Sequence, residues 1–467
     1  MHNTKIQILS ILTLVPSLLA PAPSSTGYSA KRLALPAHIL PSCMTTQPNG
    51  TVVIGSMDGD IYQLKEPRSI NEPTTLHRWA GTLAHWPLGM MAEGDDLIVA
   101  TKPALLRLID RDHDGWAEKW QTISDAWDVT KDHHDWTTGV VPWPKGGYVV
   151  APATDDVRTK DVQGRNYLRG KAVRIAPDGR EEILAEGLRY VTGWAARPAD
   201  GAIFFTDNQG QQKTTCELNR LVPGGWYGYP SRADVAAGHE KAYVTPTIRF
   251  PYPWARSVNG VAFVDAKGKF GPIDGQLVLC EYNNKFIFRA GLDEVDGVTQ
   301  GACYPFVEGL LGPVCLTFGR DGSLYVGGMR ESAWGSEPEQ GAVFKVTYDG
   351  KLPFGIREIK AQERGFVVEF FDKVAGIPEI AEPRGYQVRR YHHVFSGTYY
   401  SSIKDEEALT VRSVELRPDG SSISLKLAEP LIGDRIYEIR LTAPGAQPSL
   451  AYYAMTVVPG RKLKKVD

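Results

Sequence analysis

The sequence contains little cysteine and almost no net charge. Its 467 residues include five cysteines, and no two of them form a C-x-x-C pair, which excludes zinc-knuckle, thioredoxin-like and C-x-x-C-H haem-attachment motifs. The 52 basic and 54 acidic side chains give a formal charge of −2, so the basic surplus typical of nucleic-acid-binding proteins is missing. Because 42% of the residues are hydrophobic, the chain can bury a core, and disorder is excluded as well.

Long apolar runs are also missing, with one exception near the N-terminus. Residues 6–20 form an apolar stretch after Lys5, and a small, proline-rich segment follows them. The stretch is short for a membrane span and has the layout of a secretory signal peptide. We therefore assign residues 1–30 to a signal peptide and linker, and we expect a secreted or periplasmic protein with no membrane span in the mature chain.

Glycine and proline are abundant, with 47 and 32 residues, and they mark many turns. One short pattern recurs six times: a turn rich in Gly or Asp, followed by alternating β-forming residues. The six β-forming runs are Thr51–Ile54, Leu97–Ala100, Tyr148–Ala151, Ala202–Thr206, Gln276–Cys280 and Ser323–Gly327. Their spacing of roughly 45 to 75 residues is near that of four-stranded propeller blades with loop insertions. The repeats predict a six-bladed β-propeller over residues 31–350. The alternative is that favoured Asp-Gly hairpin turns simply recur in another all-β fold.

The pattern changes after Gly350. Seven short alternating segments lie between residues 356 and 458, separated by turns such as Pro418-Asp419-Gly420. A series of this kind is typical of two packed antiparallel sheets. We predict an Ig-like β-sandwich over residues 351–467, so the whole fold is expected to be all-β.

Three carboxylates at alternate positions form a candidate metal site. Asp110, Asp112 and Asp114 stand directly before Gly115, and Glu118 occupies the ninth position of the same loop. A tightly turning loop can direct such oxygens at one hard cation, and calcium is the ion we expect. The alternative is a polar turn between two strands.

A pair of histidines forms a candidate catalytic site. His133 and His134 lie between Asp132 and Asp135, and a neutral imidazole beside a carboxylate can accept a proton from an alcohol near neutral pH. Of the two we favour His134, because Asp135 follows it directly and could orient its ring. Adjacent histidines also occur on ordinary protein surfaces, and that reading stays open.

Four segments of the middle of the chain resemble one blade of the soluble glucose/sorbosone dehydrogenase family. They are Gly187–Tyr190, Thr206–Gly210, Glu217–Asn219 and Gly224–Pro230. Further segments resemble an exported subset of dehydrogenase-like propeller proteins from planctomycete-type bacteria, in which a β-sandwich follows the propeller. These are Gln300–Phe306, Gly319–Gly327 and Trp334–Ser336.

The resemblance implies an activity and its catalytic base. Members of the family are six-bladed propellers that bind pyrroloquinoline quinone (PQQ) and calcium at one end of the central axis. By resemblance, His133 or His134 would remove the proton from a hydroxyl of a sugar or polyol while hydride passes to the quinone. An external electron acceptor would then take the electrons.

The resemblance also implies which residues hold the cofactors. Arg189 would face the quinone oxygens, with Tyr190 beside it where the family tends to have Asn. Backbone carbonyls around Gln209 and Gly210 would hold a calcium ion that polarises the quinone as a Lewis acid.

Two alternatives and one disulfide complete the expectations. The scaffold could instead serve a non-catalytic propeller that binds a glycan or a protein, since fold does not determine function. A cofactor-free hydrolase or lyase is a third reading. Cys216 and Cys303 both lie in segments shared with the exported subset, and we expect them to form a disulfide in an oxidising compartment.

Overall fold

A computed structural model describes the chain over residues 27–65, 74–81, 86–129, 136–153, 167–210, 213–229, 243–330, 339–395 and 401–461. Almost all regular structure in these ranges is β-strand, so the predicted all-β class is confirmed. None of the helices in these ranges has the length and apolar character that a membrane crossing requires.

Twenty-five strands lie in the described part of the first 350 residues. They are β1 (Tyr28–Arg32), β2 (Pro41–Thr46), β3 (Val52–Ser56), β4 (Ile61–Lys65), β5 (Thr75–Ala80), β6 (Gly89–Glu93), β7 (Asp96–Ala100), β8 (Leu105–Ile109), β9 (Lys119–Ser124), β10 (Thr137–Pro142), β11 (Tyr148–Pro152), β12 (Lys171–Ile175), β13 (Glu181–Glu186), β14 (Val191–Ala196), β15 (Ile203–Asp207), β16 (Glu217–Arg220), β17 (Gly225–Trp226), β18 (Ile248–Arg249), β19 (Val258–Phe263), β20 (Leu277–Glu281), β21 (Phe286–Val295), β22 (Val298–Glu308), β23 (Pro313–Phe318), β24 (Leu324–Arg330) and β25 (Gln340–Tyr348).

These strands form six sheets in chain order. The first four sheets are β2-β3-β4-β5, β6-β7-β8-β9, β10-β11-β12-β13-β17 and β14-β15-β16-β18; the fifth begins β19-β20-β21-β22, and the sixth is β23-β24-β25-β1. Each of the six predicted β-forming runs overlaps the second strand of one sheet, namely β3, β7, β11, β15, β20 or β24. The six predicted strands are therefore confirmed, because the Gly- and Asp-rich turn before each one starts a hairpin.

The first strands of the six sheets contact one another in a closed cyclic order: β2, β6, β10, β14, β19, β23 and back to β2. They surround a cavity of about 90 Å³ that all six of them line. Glycine permits this close approach. A Cβ on Gly89 would lie 0.9 Å from the carbonyl oxygen of Gly139, and one on Gly193 would lie 2.2 Å from that of Asn259.

The sixth sheet is completed by the start of the described chain. β1 pairs with β25 from Tyr28 opposite Tyr348 to Arg32 opposite Phe344. Residues 28–30, which the sequence assigns to a linker, thus lie in a strand. The pairing joins two segments about 300 residues apart in sequence, so no local pattern could reveal it.

Eight more strands follow, with a short helix at Pro378–Ala381 and a 3₁₀ turn at Pro383–Gly385. The strands are β26 (Ile356–Gln362), β27 (Gly365–Phe370), β28 (Tyr386–Phe395), β29 (Ser401–Leu409), β30 (Val411–Leu416), β31 (Ser422–Leu427), β32 (Arg435–Leu441) and β33 (Leu450–Met455). β26, β27, β30 and β31 form their own sheet, while β33, β32, β28 and β29 extend the fifth sheet outward from β22. A hydrophobic core fills the space between these two sheets, where the ring of Phe366 packs on those of Tyr437 and Tyr453.

The predicted disulfide between Cys216 and Cys303 is wrong. All five cysteines lie in the described ranges, and each is a buried free thiol. The sulfur of Cys216 is instead 3.2 Å from Oδ1 of Asn208 and 3.1 Å from the carbonyl oxygen of Arg256. Burial raises the pKa of this thiol to about 12, so it stays protonated and can donate a hydrogen bond.

Candidate functional site

Aromatic and aliphatic side chains from all six sheets meet at one end of the ring of first strands. They lie where the chain enters the first strands or leaves the second strands, and we call this cluster the axial mouth. Its members are Leu40, Met57, Trp86, Leu88, Trp136, Tyr190, Tyr282, Val314 and Met329. Residues separated by almost the whole length of the six sheets thus form one surface, which covers the end of the central cavity.

Three aromatic rings form the centre of the axial mouth. Trp136 is 5% exposed, and its ring centroid lies 5.4 Å from that of Tyr190 and 6.1 Å from that of Trp86. Trp86 and Tyr190 remain partly exposed. Trp86 has a φ of 46°, a left-handed conformation that is unfavourable for a bulky residue. The centre of the mouth is therefore one buried ring, Trp136, between two partly exposed rings.

Two cations stand beside these rings. Nζ of Lys102 lies 5.7 Å from the ring centroid of Trp86, and Cζ of Arg189 lies 6.0 Å from that of Tyr190. Lys102 belongs to the turn between β7 and β8, and Arg189 directly precedes Tyr190 at the entrance to β14. The axial mouth is thus apolar at its centre, with two basic side chains beside the rings.

Arg189 also binds the chain that sequence analysis assigns to calcium. Its Nη1 donates to the carbonyl oxygen of Gln209 at 3.0 Å and lies 3.5 Å from that of Asn208. The guanidinium lies against Gly210, where a Cβ would come within 2.3 Å of Cζ. The structure therefore brings Arg189, Gln209 and Gly210 together, with the guanidinium against the carbonyl of Gln209.

A buried ion network lies next to the segment that Arg189 contacts. Nζ of Lys213 lies 2.9 Å from Oδ2 of Asp207 and 2.6 Å from Oε2 of Glu217, and all three side chains are almost fully buried. Burial lowers the pKa of Lys213, but the two carboxylates outweigh it and leave the pKa well above its usual value. The hydroxyl of Tyr243 donates to Oε1 of Glu217 at 3.1 Å. Lys213 is therefore a fixed counter-ion and remains charged at any physiological pH.

Asp207 connects the network to the axial mouth. Its carboxylate accepts hydrogen bonds from the backbone N–H of Arg189 at 3.1 Å and of Tyr190 at 2.7 Å. In the same way, Oε1 of Glu281 at the end of β20 accepts from the backbone N–H of Arg256 and Ser257. Each side chain stands at the end of a second strand and holds the loop that enters the first strand of its sheet. Asp207 lies in the segment Thr206–Gly210 that resembles the dehydrogenase family, but its positioning role was not predicted.

The carboxylate loop lies at the other end of its strands. β8 runs away from the axial mouth, and the loop from Asp110 to Glu118 follows it. Among the described residues one group of carboxylates could share a metal ion, with oxygens of Asp110, Asp112 and Glu118 within 4.8 Å of one another. Asp114 is outside this group, and its Oδ1 accepts from the backbone N–H of Trp116 at 2.8 Å. Three of the four predicted ligands are brought together, in a loop distant from the aromatic rings.

The predicted catalytic pair cannot be placed. His133 and His134 lie outside the described residues, so their role stays a prediction. Their neighbour Trp136 is the central ring of the axial mouth, a role that was not predicted. Its assignment needed contacts between sheets that are far apart in sequence, and the same holds for Trp86 and Tyr282.

The donor set of the mouth fits PQQ in two respects. PQQ is a planar ring compound with carboxylates, and the mouth provides flat aromatic faces with Lys102 and Arg189 beside them. The carbonyl oxygen of Gln209 does not fit a calcium ion, since it accepts from a guanidinium and the two cations would repel each other.

Comparison with solved structures shows which fold this is. The chain is 20% identical to an oxidoreductase from Thermus thermophilus described as a glucose dehydrogenase, with a TM-score of 0.53 over 68% of this chain and 100% of that one. It is 15% identical to the PQQ-bound aldose sugar dehydrogenase of Streptomyces coelicolor, with a TM-score of 0.50 over 69% of this chain and 100% of that one. The chain is 14% identical to a family AA12 carbohydrate-active enzyme from Trichoderma reesei, seen in its calcium structure. That match has a TM-score of 0.51 over 72% of this chain and 100% of that one.

These matches establish the fold. The chain has a sugar-dehydrogenase-like fold of the type found in PQQ-dependent enzymes, and the neighbours are covered over their whole length. No protein-family model and no curated protein sequence matches the chain. At such low identity the activity has to be argued from the residues of this chain.

Proposed function

We propose that the six sheets are the blades of a six-bladed β-propeller over residues 31–350, closed by β1, and that residues 351–467 form a β-sandwich. The closed cycle of first strands and the core between the two C-terminal sheets support this division. The neighbours match 68–72% of the chain, a share comparable with that of residues 31–350. We further propose export to the periplasm or beyond, which N-terminal sequencing of the mature protein would test by cleavage before Tyr28.

We also propose that the protein is a sugar or polyol dehydrogenase that uses PQQ at the axial mouth and passes electrons to an external acceptor. One observation carries the proposal: on a fold shared with PQQ-dependent sugar dehydrogenases, the mouth presents aromatic faces with cations beside them. Sugar rings have apolar C–H faces that stack on aromatic rings, and quinone carboxylates need cationic partners. A pocket of this composition suits both.

The chain's own residues would divide the work. Trp136 and Tyr190 would provide the apolar surface on which ring compounds lie, with Trp86 at its edge. Arg189 and Lys102 would neutralise carboxylates, and Asp207 would keep the loop of Arg189 in place through two backbone hydrogen bonds. When bound, PQQ would supply the acceptor for hydride from the substrate carbon.

The test is reconstitution of the purified chain with PQQ, followed by dye-linked activity across sugars and polyols. Trp86→Ala should remove most of the turnover and weaken PQQ binding, because a face of the mouth is lost. Trp120→Ala is the matched control: Trp120 is 40% exposed on β9, outside the mouth, and its loss should leave both unchanged. Equal effects of the two substitutions, or no PQQ binding by the intact chain, would reject the proposal.

A second function is favoured by the contact of Arg189 with Gln209. If the guanidinium keeps that carbonyl, the mouth could bind a glycan without redox chemistry. Glycan array binding that needs Trp86, in a protein that neither binds PQQ nor reduces a dye, would identify this function.

A further inference from the structure

A second cavity lies outside the axial mouth, between the fourth sheet and the C-terminal strands. Its volume is about 120 Å³, and a water molecule occupies about 30 Å³ in the liquid, so it can hold a group of a few heavy atoms. We call it the seam pocket. Its polar lining comes from both parts of the chain: Thr214, Arg249, His392, His393, Asp434 and Arg435.

The charges of the seam pocket are linked in a row. Nη1 of Arg249 lies 2.5 Å from Oδ1 of Asp434, and Nη1 of Arg435 donates to the backbone carbonyl of Asp434 at 2.9 Å. Nη2 of Arg435 lies 3.4 Å from Oδ2 of Asp405, whose other neighbour is Nδ1 of His392 at 3.5 Å. Two arginines thus share two carboxylates at the edge of one small cavity.

The cations are fixed in the wall, whereas the carboxylates stand in solvent. The side chains of Arg249 and Arg435 are 25% and 22% exposed, but those of Asp434 and Asp405 are 68% and 69% exposed. Water competes for a carboxylate that is this exposed, so such ion pairs are weak. The carboxylates can therefore leave the mostly buried arginines at little cost.

The backbone of the two aspartates and the state of His393 complete the description of the pocket. Asp405 and Asp434 both have left-handed φ values, 49° and 56°, a conformation that aspartate adopts more readily than most residues. His393 contributes no charge, because burial lowers its pKa to about 4 and its Nε2 accepts from the backbone N–H of Tyr252 at 3.2 Å. The permanent positive charge of the pocket is that of the two guanidinium groups.

We propose that the seam pocket binds a small oxyanion, a carboxylate or phosphate group, which replaces Asp434 and Asp405 as the partner of Arg249 and Arg435. Planar guanidinium groups match the oxygens of such an anion in two parallel hydrogen bonds. The site is separate from the axial mouth, and it does not depend on the function proposed for the mouth.

The experiment is calorimetric titration of the full chain with inorganic phosphate and with acetate, at constant ionic strength set by chloride. We expect saturable binding that falls at least tenfold in Arg435→Gln. The control Arg417→Gln, an exposed arginine in the turn after β30, should bind like the wild type. Tighter binding of acetate identifies a carboxylate ligand, and tighter binding of phosphate identifies a phosphate ligand.

A second variant tests the pocket in the opposite direction. Asp434→Asn removes the competing carboxylate while asparagine still tolerates the left-handed backbone, so anion affinity should rise several-fold. No saturable binding of either anion, binding that persists in Arg435→Gln, or an Asp434→Asn variant that binds more weakly would overturn the proposal.

Discussion

Two arginines, Arg189 at the axial mouth and Arg289 where the fifth sheet meets β26, bind backbone carbonyls in different surroundings. Arg289 is fully buried and donates to the carbonyls of Ile356 and Arg357 at 3.2 and 3.1 Å. Its Cζ also lies 4.9 Å from the ring centroid of Tyr304. Arg189 makes similar carbonyl contacts, but it is only half-buried beside Tyr190.

The difference separates a structural contact from a functional one. Burial lowers the pKa of Arg289 to about 10, which shows that burying its charge costs free energy. The hydrogen bonds of its guanidinium join β21 to β26. Arg189 is partly exposed, and so are the rings of Tyr190 and Trp86. We infer that the junction determines stability, while the mouth surface can change without unfolding the chain. The buried layer directly beneath the mouth should behave like the junction.

The largest effect should come from that buried layer. Lys213→Met leaves the carboxylates of Asp207 and Glu217 without their counter-ion, which costs about 4 kcal/mol of unfolding free energy. Urea unfolding followed by tryptophan fluorescence measures it. Lys426→Met is the matched control, because its ion pair with Glu415 is exposed and should change stability by less than about 1 kcal/mol. Similar losses in both variants would contradict the buried network.

The next effect compares the two arginines directly. Arg289→Met removes the donor from buried carbonyl groups and should lower the unfolding free energy by about 3 kcal/mol. Arg189→Met should lower it by about 1 kcal/mol, because its guanidinium is only half-buried. The same urea experiment gives both values. Equal losses would show that the mouth and the junction do not differ as described.

A third effect depends on pH. Burial raises the pKa of Glu281 from 4.5 to about 7, so the unfolded chain releases this proton first as pH rises. The protonated Glu281 contributes its full stability to the folded chain below about pH 4.5. As the pH rises from 4.5 to 7, this contribution of up to about 3 kcal/mol to the unfolding free energy is lost. The unfolding free energies of the wild type and Glu281→Gln should diverge in favour of the variant from pH 5 to pH 8. A constant difference would refute the raised pKa.

The smallest effect concerns the carboxylate loop. If calcium binds there, melting with calcium and with a chelator should differ, by about 2.7 kcal/mol at a calcium concentration a hundred times the Kd. Asp112→Ala should abolish the difference, since Asp112 belongs to the group that can share an ion. Asp114→Ala should retain it. A wild type that melts identically under both conditions has no site in this loop.

Sequence predicted the strands well where local chemistry decides them. Turns such as Asp321-Gly322 start hairpins, and alternating residues then form β24. β29 was missed because seven of its nine residues are exposed, so its sequence is mostly polar and lacks the alternation of a half-buried strand. The extension of the fifth sheet through β33 was also missed, since its pairing with β22 joins residues about 150 apart.

The candidate site shows the same limit. A motif around Arg189 was visible because Asp207 and Gly210 lie within about twenty residues of it. The aromatic mouth was not visible, because Trp86, Trp136 and Tyr282 come from three different sheets. The disulfide prediction failed for a related reason: cysteines in one hydrophobic cluster can all remain buried thiols.

Hydrogen exchange of the full chain with and without PQQ tests the central claim, that the axial mouth is the functional site. We expect protection confined to the segments that enter the first strands, including residues 86–90, 136–142 and 188–194. Protection at the junction around Arg289 or in the carboxylate loop, or no protection at any PQQ concentration, would contradict the account.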